Sequence, residues 1–367
     1  MNRVLLIGNS GLKKHGEDGQ TVKVRFYLKK IKDEGFDVDF VDLECFAKRP
    51  ISTLIKIKKG IKTCNRIVLI SAKRGCKVLI PFINRINKKY KKVFVLPLIG
   101  TSVLHYSIDK LSNDDKNKFI VDKDYSPCRY NHKLSKELSL IDYILPETDS
   151  LVDVFKGFYR LNNVYKLNNV RENVPIKNPV PHSNNGIKLV FLSRVMREKG
   201  IFDLLEAMKS IVNENVNISL DIYGKKILSK NEHITFNSFI NNDTINYKGV
   251  LKNDLVCSVL SEYDLFIFPT RFVGEGTPGV IVESLIAGTP VLATSFPQAH
   301  LLLNDGIDSL FCKMFDKEDL KSKLLYIINN KDILENLRKG ALESGKKYTY
   351  KHERKAFLKY VCGVEEE

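Results

Sequence analysis

Short apolar runs alternate with amphipathic segments along almost the whole chain of 367 residues, and this alternation limits the possible folds more than any other feature. The runs with the length and composition of strands are 3–8, 37–42, 66–71, 92–99, 141–146, 187–193, 217–223, 264–269 and 289–294. Strands that alternate with helices form parallel sheets covered by helices on both faces. The pattern therefore predicts an α/β protein built on parallel sheets.

Several segments between these runs have the periodicity of helices. Residues 20–34 are predicted to form a helix that ends at Gly35 and whose buried face consists of Val24, Phe26, Leu28 and Ile31. Residues 200–214 are predicted to form another, with a buried face of Leu204, Leu205, Met208, Ile211 and Val212. The region 316–346 predicts two further helices.

The length and an Asn- and Pro-rich stretch at 168–186 indicate two domains. A single hydrophobic core rarely grows beyond about 250–300 residues, and a stretch without periodicity is typical of a linker. We predict an N-terminal domain at 1–170, a linker at 171–186 and a C-terminal domain at 187–346. Because open parallel sheets bind ligands at the carboxyl ends of their strands, a cleft between two Rossmann-like domains is the expected binding site.

The net charge of +16 is confined to the N-terminal half of the chain. Residues 1–180 hold 35 Lys and Arg against 19 Asp and Glu, whereas residues 181–367 hold 24 of each. Residues 51–100 carry 13 basic side chains and no acidic one. Such a region attracts an anionic membrane, nucleic acid or a pyrophosphate-linked lipid, unless its lysines are simply solvated. The leading membrane-facing candidates are Lys88, Lys89, Lys91 and Lys92.

The seven cysteines are scattered and form no C-x-x-C pair. This pattern disfavours a zinc site or a disulfide framework and favours a reducing compartment. No run approaches the roughly 20 apolar residues of a membrane span. The apolar run that follows Arg3 is too short for a signal peptide. We therefore expect a cytoplasmic protein, with peripheral attachment to a membrane as an option.

The sequence at 268–291 carries the strongest chemical pattern, in which a strand is followed by a Gly-rich loop, a short helix and another strand. Small residues at 276, 277 and 279 allow a ligand to approach the backbone closely. The first amides of the helix, near 278–281, favour an anion such as a phosphate. Glu283, one turn into the helix, can accept hydrogen bonds from ribose hydroxyls, and Glu275 can accept them from a sugar.

Glu275 and Glu283, with their surroundings Pro269-Thr270 and Ala287-Gly288-Thr289-Pro290-Val291, resemble the E-x7-E signature of retaining group 1 (family 4) glycosyltransferases. Their context is similar to that of enzymes that build bacterial capsule and O-antigen polysaccharides. The resemblance implies a GT-B fold, in which two Rossmann-like domains face a cleft. It also implies that Glu283 binds the donor ribose and that Glu275 binds the sugar, together with the loop residues Gly276, Thr277, Pro278, Gly279 and Val280.

The segment 189–200 again predicts a strand, a loop and a helix. The resembling family has an Arg just after this strand and a Lys five residues later, and Arg194 and Lys199 match those positions. Two fixed cations would stabilise a departing diphosphate without a metal. Arg197 is the competing candidate for the arginine role. The nucleotide base is expected near Gly249 and Val250, where backbone groups would recognise it.

Two N-terminal loops are weaker candidates for the cleft. Residues 8–21 resemble the Gly-rich first loop of capsule-type enzymes, and the matching positions are Asp18, Gly19, Gln20 and Thr21. Asp18 or Thr21 could instead be an ordinary helix cap. Gly100 and His105 follow another predicted strand, and His105 could contact the sugar or could be structural. The segment 347–367 resembles the family's closing segment, which crosses back to the first domain.

The sequence thus predicts a retaining hexosyltransferase that uses a UDP- or GDP-linked sugar and no metal or other cofactor. The expected acceptor is a glycan or a lipid-pyrophosphate-linked oligosaccharide at an anionic membrane surface. One alternative is a non-catalytic nucleotide-sugar binder. Another is a protein that binds nucleic acid through its basic half, although no recognition module supports specific binding.

Overall fold

The computed structural model describes residues 3–12, 19–98, 132–172, 186–212, 217–240, 243–272, 275, 277–296 and 298–365. Among the predicted site residues, Asp18, Gly100, His105 and Gly276 lie outside these ranges. The chain divides into two compact units. Unit 1 holds the described residues up to Asn169 and the segment from Tyr350 onward, and unit 2 holds the described residues of Val170–Thr349.

Unit 1 is built on a five-stranded parallel sheet of order β2-β1-β3-β4-β5. Its strands are β1 Arg3–Gly8, β2 Asp37–Asp42, β3 Arg66–Ile70, β4 Val93–Pro97 and β5 Tyr143–Leu145. The helices are α1 Gly19–Asp33, α2 Pro50–Thr63, α3 Lys73–Tyr90, α4 His132–Leu138 and α5 Asp149–Asp153, followed by a π-helical turn at Val154–Phe158. The central strands are almost wholly apolar and buried because helices cover both faces.

Unit 2 is built on a six-stranded parallel sheet of order β11-β10-β9-β6-β7-β8. Its strands are β6 Ile187–Leu192, β7 Ile218–Tyr223, β8 Ile245–Gly249, β9 Leu265–Phe268, β10 Val291–Thr294 and β11 Ser309–Cys312. The helices are α6 Ile201–Val212, α7 Lys230–Phe239, α8 Val256–Leu260, α9 Gly279–Ile286, α10 Ala299–Leu302, α11 Lys317–Asn329 and α12 Asp332–Gly345. Single 3-10 turns lie at Arg197–Lys199, Asn253–Leu255 and Lys346–Tyr348.

The strand order of unit 2 is that of the dinucleotide-binding α/β fold, in which the chain winds outward from the centre in both directions. The reversal falls between β6 and β9, which pair with each other at the centre of the sheet. Loops that leave two such strands diverge to opposite faces and open a crevice at their carboxyl ends. The fold itself therefore provides a ligand position beside β6 and β9.

The segment from Tyr350 belongs to unit 1 and contains α13 Tyr350–Phe357 and a π-helical turn Leu358–Cys362. Tyr350 packs edge-on against Phe26, with the ring centroids 5.8 Å apart, and Phe357 packs against Tyr27 at 5.0 Å. Arg354 donates to Glu34 at 2.6–2.8 Å. Aromatic contacts and a charge-assisted pair thus attach this segment to α1.

The structure corrects two predictions about elements. On α1, Val24 and Ile31 are buried, but Phe26 and Leu28 are only half-buried and Tyr27 is buried instead. Strands β8 and β11 lie at the edges of the second sheet and were not predicted. The two helices expected in 316–346 are confirmed as α11 and α12.

Within the described ranges, no helix has the length and apolar character that crossing a membrane requires.

Candidate functional site

The carboxyl ends of β6 and β9 bring together the charged residues that the sequence singled out in unit 2. Lys199 follows β6, and Glu275 follows β9. Both are buried, at 9% and 8% exposure. The Lys199 ammonium donates directly to Glu275 Oε1, although the two residues are 76 positions apart in sequence. The structure thus joins two separately predicted residues into one ion pair.

The surroundings of this pair fix the positions of both side chains. Thr270, itself fully buried, donates its hydroxyl to the same Glu275 oxygen at 2.9 Å. The Lys199 ammonium lies 5.8 Å from the Phe268 ring centroid and 5.6 Å from that of Phe272. A cation over aromatic faces keeps part of its stabilisation when its anionic partner changes. Within the described ranges, Glu275 Oε2 receives no hydrogen bond.

The loops that carry Lys199 and Glu275 are held to each other through the backbone. Gly200 has φ +73°, and a Cβ there would collide with the carbonyl oxygen of Pro269. The Arg271 amide donates to the Glu198 carbonyl at 2.9 Å. Arg271 also forms an ion pair with Asp203 at 3.3 Å, and burial raises the pKa of Asp203 despite this guanidinium. Only glycine at 200 allows such a close approach.

Arg194 is exposed, but its backbone is fixed on both sides. The Ser193 amide donates to the Tyr223 carbonyl at 3.2 Å, and the Val195 amide donates to the Lys225 carbonyl at 2.9 Å. Gly224, with φ +134°, passes so close to Ser193 that a Cβ would collide with its carbonyl oxygen. No ion pair of Arg194 occurs within the described ranges. The backbone at Arg194 is therefore fixed beside the carboxyl end of β6.

The competing candidate, Arg197, points to a different partner. Its Nε donates to Glu232 Oε1 at 3.0 Å, and its guanidinium lies 5.1 Å from the Phe202 ring centroid. The Ser229 amide, first, and Arg197, second, lower the pKa of Glu232 below its ordinary value. Arg197 thus belongs to an exposed contact with the start of α7, whereas Arg194 lies directly after β6.

Helix α9 presents its first turn at the same edge of the sheet. Pro278 precedes it as the N-cap, and Gly279 is the first residue of the helix. Thr277, Pro278, Gly279 and Val280 are half-buried, and therefore partly open to solvent. The first amides of a helix have no acceptor within it and carry a partial positive charge. This end of α9 is suited to an anion.

Glu283 lies one turn into α9 and is 9% exposed. Its Oε1 accepts a hydrogen bond of 2.7 Å from Nε of Arg171, and both side chains are 12% exposed. Arg171 was placed in the linker by the sequence and was not recognised as a site residue. The neighbouring thiol of Cys257 has its pKa raised to about 12, first by burial and then by the Glu283 charge.

The predicted base-recognition residues lie at the end of β8. Gly249 has φ +84°, and its carbonyl accepts from the Gly224 amide at 2.8 Å. Val250 is 65% exposed. Residues of this kind can present backbone groups to a base, and their role in base recognition stays a prediction.

The N-terminal candidates lie in unit 1. Gly19, Gln20 and Thr21 form the first turn of α1, so Thr21 is inside the helix and does not cap it. Farther along α1, Lys23 forms an ion pair with Glu147 at 2.6 Å that the sequence did not reveal. Lys23 also donates to the Leu98 carbonyl at 2.6 Å. The pair lies at the carboxyl ends of β4 and β5 and is almost fully buried.

The predicted membrane-facing lysines lie where α3 ends and β4 begins. Lys88, Lys89 and Lys91 are exposed, whereas Lys92 is half-buried and hydrogen-bonds through its backbone to the Asn87 side chain. A second group of exposed lysines lies on α2, at 56, 58, 59 and 62. Here they neighbour two exposed apolar side chains, Ile51 at 75% and Ile55 at 49%.

Within the described ranges, no three His, Cys, Asp or Glu side chains come together in a way that could hold a metal ion. The expectation that the reaction needs no metal stays a prediction.

The C-terminal half matches a known family. Residues 174–344 match the family model described as glycosyl transferases group 1. The chain is 30% identical over 175 residues to an uncharacterized glycosyltransferase of Methanocaldococcus jannaschii, a match that covers 48% of this chain and 46% of the relative. It is 31% identical over 125 residues to the putative teichuronic acid biosynthesis glycosyltransferase TuaC of Bacillus subtilis, covering 34% and 26%. The chain thus spans less than half the length of either relative.

A solved structure resembles the chain over its whole length. HepE from Anabaena, in complex with UDP, has a TM-score of 0.68 and 11% identity, and the match covers 99% of this chain and 100% of that one. At this identity the likeness shows the fold alone. It confirms the predicted GT-B fold class with two parallel-sheet α/β domains.

Proposed function

We propose that this chain is a retaining glycosyltransferase that takes a hexose from a UDP- or GDP-linked donor. The acceptor is a glycan or a lipid-pyrophosphate-linked oligosaccharide in surface polysaccharide synthesis. The observation that carries the proposal is the buried contact between Lys199 and Glu275 at the point where the strand order of the second sheet reverses. Glu283 lies on the adjoining helix, within the region that matches the family model.

Each site residue has a distinct role in this proposal. Glu283 accepts hydrogen bonds from the donor ribose, and the first amides of α9 receive the diphosphate. Arg194 and Lys199 neutralise the charge that grows on the departing diphosphate. Lys199 is already stabilised by Phe268 and Phe272 when its ammonium turns from Glu275 to that ligand. Oε2 of Glu275 accepts a hydrogen bond from a hydroxyl of the transferred sugar.

The transfer itself requires positioning more than a protein nucleophile. The bond between the anomeric carbon and the diphosphate oxygen breaks, and the acceptor oxygen bonds to the same face of that carbon. The acceptor proton passes to the departing phosphate oxygen, and bonding on the same face retains the configuration. Rate enhancement then arises from alignment of the two substrates and from preorganised positive charge. No metal is needed because Arg194 and Lys199 supply that charge.

The donor class is tested by thermal unfolding in the presence of UDP, GDP, CDP or ADP, with and without EDTA. A ligand at about 100 times its Kd stabilises the folded chain by roughly 2.7 kcal/mol. We expect UDP or GDP to raise the midpoint equally in both conditions. If none of the four diphosphates does so, the donor site in unit 2 is refuted. A midpoint shift that EDTA abolishes would refute metal independence.

The ribose role of Glu283 is tested by Glu283→Ala. Loss of charge-assisted hydrogen bonds should weaken binding of the diphosphate by roughly 1.5–3 kcal/mol. Glu262→Ala, an exposed glutamate of the same unit, is the matched control and should bind normally. Equal affinity of the wild type and Glu283→Ala would remove Glu283 from the ribose site.

An assay for release of free sugar from the donor distinguishes an enzyme from a non-catalytic nucleotide-sugar binder.

We also propose that unit 1 contacts an anionic bilayer through α2 and the exposed lysines of α3, which places the enzyme at the cytoplasmic face of the membrane. Helix α2 packs against α3 and exposes Ile51 and Ile55 among its lysines. Apolar side chains beside a basic face are typical of helices that lie in the interface of anionic membranes. Each lysine near such a surface contributes on the order of 1 kcal/mol.

Co-sedimentation with vesicles tests this surface. We expect binding to phosphatidylglycerol vesicles that weakens with salt, and little binding to phosphatidylcholine vesicles. Ile51→Ser with Ile55→Ser should weaken binding without changing charge, and Lys88→Gln with Lys89→Gln should weaken it through charge alone. Equal sedimentation with both lipids would refute the proposal. Binding to a random oligonucleotide, measured in parallel, would instead support the nucleic-acid alternative.

A further inference from the structure

Arg171 is held at both ends beside Glu283. Its backbone amide donates to the Tyr348 carbonyl at 2.9 Å, and residue 171 forms a parallel bridge with residue 349. At the other end, its Nε donates to Glu283 Oε1 at 2.7 Å, and its Nη1 donates to the Val170 carbonyl at 3.2 Å. A side chain fixed in this way presents its guanidinium in one orientation.

The first residue of α9 is shaped around this guanidinium. A Cβ at Gly279 would collide with Nη2 of Arg171 and would lie 3.2 Å from its Cζ. Gly279 was predicted to make room for a ligand. In the structure, part of that room is taken by Arg171. Two residues of α9 thus accommodate Arg171: Gly279 leaves space for the guanidinium, and Glu283, one turn later, forms an ion pair with it.

We propose that Arg171 is a positioning residue that orients Glu283 for the donor ribose. A carboxylate that is mostly removed from water needs a fixed partner, and a planar guanidinium constrains its orientation more than an ammonium can. With Oε1 held by Arg171, the Glu283 carboxylate is fixed in one orientation, one turn into α9. Arg171 thus sets how strongly the site distinguishes a ribose with hydroxyls from one without them.

This inference rests on the proposed function, because it requires a nucleoside diphosphate in unit 2. It adds a residue outside the region 174–344 that matches the family model. It also makes a separate claim, which concerns selectivity for ribose hydroxyls and not the presence of a nucleotide site.

The test compares Kd for UDP with Kd for 2′,3′-dideoxy-UDP, or the matching guanosine pair if GDP is the ligand. Wild type should prefer the hydroxylated nucleotide by on the order of tenfold or more, the size of a hydrogen bond to a charged group. Arg171→Gln should reduce this preference to within about threefold of unity, and Arg171→Lys should retain an intermediate value because a cation remains. Gly279→Ala should act in the same direction by displacing the guanidinium.

A double variant separates positioning from folding. Arg171→Gln with Glu283→Gln removes both charges, so it should fold with a thermal midpoint near wild type while lacking ribose preference. If Glu283→Gln has already lost the preference, adding Arg171→Gln should change it no further. A wild-type preference that persists in Arg171→Gln would overturn the inference. Failure of wild type to bind any diphosphate would instead refute the proposed function.

Discussion

Among the described residues, each unit buries a lysine–glutamate pair beside the carboxyl ends of its parallel strands, and the two pairs differ in their surroundings. Lys23 and Glu147 in unit 1 are 5% and 4% exposed, and the Lys23 ammonium, 5.9 Å from the Tyr27 ring centroid, also donates to a main-chain carbonyl. In unit 2 the Lys199 ammonium lies over two aromatic rings and contacts a glutamate in a Gly-rich loop.

The difference teaches that a buried ion pair alone does not identify a catalytic site. The Lys23 ammonium donates to two fixed oxygen atoms at 2.6 Å, and turning to a ligand would break both hydrogen bonds. Aromatic faces stabilise Lys199 without occupying its hydrogen bonds, so the ammonium can turn to an anionic ligand. These surroundings favour a structural role for the pair in unit 1, and they fit the catalytic role proposed for the pair in unit 2.

The largest expected effect comes from breaking the pair in unit 1. Lys23→Met leaves the Glu147 carboxylate buried without its partner, which should lower the free energy of unfolding by about 3–5 kcal/mol. Urea unfolding measures this change. Adding Glu147→Leu should recover most of the loss, because replacing both members of a buried pair is often neutral. Normal stability of Lys23→Met together with loss of sugar transfer would reverse the assignment.

Breaking the pair in unit 2 should act mainly on the reaction. Lys199→Met removes a cation from the leaving-group site and should lower kcat by about 10²–10³-fold. Its unfolding free energy should fall less than that of Lys23→Met, because Glu275 keeps the hydroxyl of Thr270 as a donor. Steady-state transfer assays and urea unfolding of the same preparation measure both quantities. A stability loss with unchanged kcat would make this pair structural as well.

A smaller effect is expected from the two exposed arginines that precede Lys199, Arg194 and Arg197. Arg194→Ala should reduce kcat/KM roughly tenfold to a hundredfold, the size of one charge-assisted hydrogen bond. Arg197→Ala is the matched control and should stay within about twofold of wild type, because its guanidinium contacts Glu232. Neither change should alter the thermal midpoint appreciably. Equal losses in both variants would remove the distinction between the two arginines.

The smallest effect concerns a more exposed pair in unit 1. The Arg354 hydrogen bond lowers the pKa of Glu34 below its ordinary value of 4.5. The pair therefore stabilises the chain above that ordinary value and is lost as the pH falls through the lowered pKa. Because Arg354 is 42% exposed, we expect about 0.5–1 kcal/mol at pH 7. Glu34→Gln should reduce the loss of stability between pH 6 and 3, and an unchanged pH dependence would contradict this role.

Local patterns were sufficient to predict most of the fold. Every predicted strand is present, and most of these strands are short apolar runs that the sheets bury. The two unpredicted strands, β8 and β11, are edge strands, and only one residue of β8 is buried. On α1, Phe26 packs against Tyr350 of the C-terminal segment. The buried face of this helix therefore depends on residues more than 300 positions away in sequence.

The candidate site was predictable only where its residues share a motif. Glu275, Glu283, Arg194 and Lys199 follow two strands with recognisable loops, and their spacing is visible in the sequence. Arg171 gives no such signal, because its partner Glu283 is 112 positions away and its own segment has no periodicity. Lys23 and Glu147, separated by 124 positions, were missed for the same reason.

The sequence by itself determined the alternation of strands and helices, the GT-B fold class and the residues that stand after β6 and β9. These properties depend on hydrophobic periodicity and on short motifs, which act over a few residues. Only the tertiary structure decided which charges pair: Lys199 with Glu275, Arg171 with Glu283 and Lys23 with Glu147. The reason is physical, because burial makes each charge require a partner, and the fold alone determines which partner is within reach.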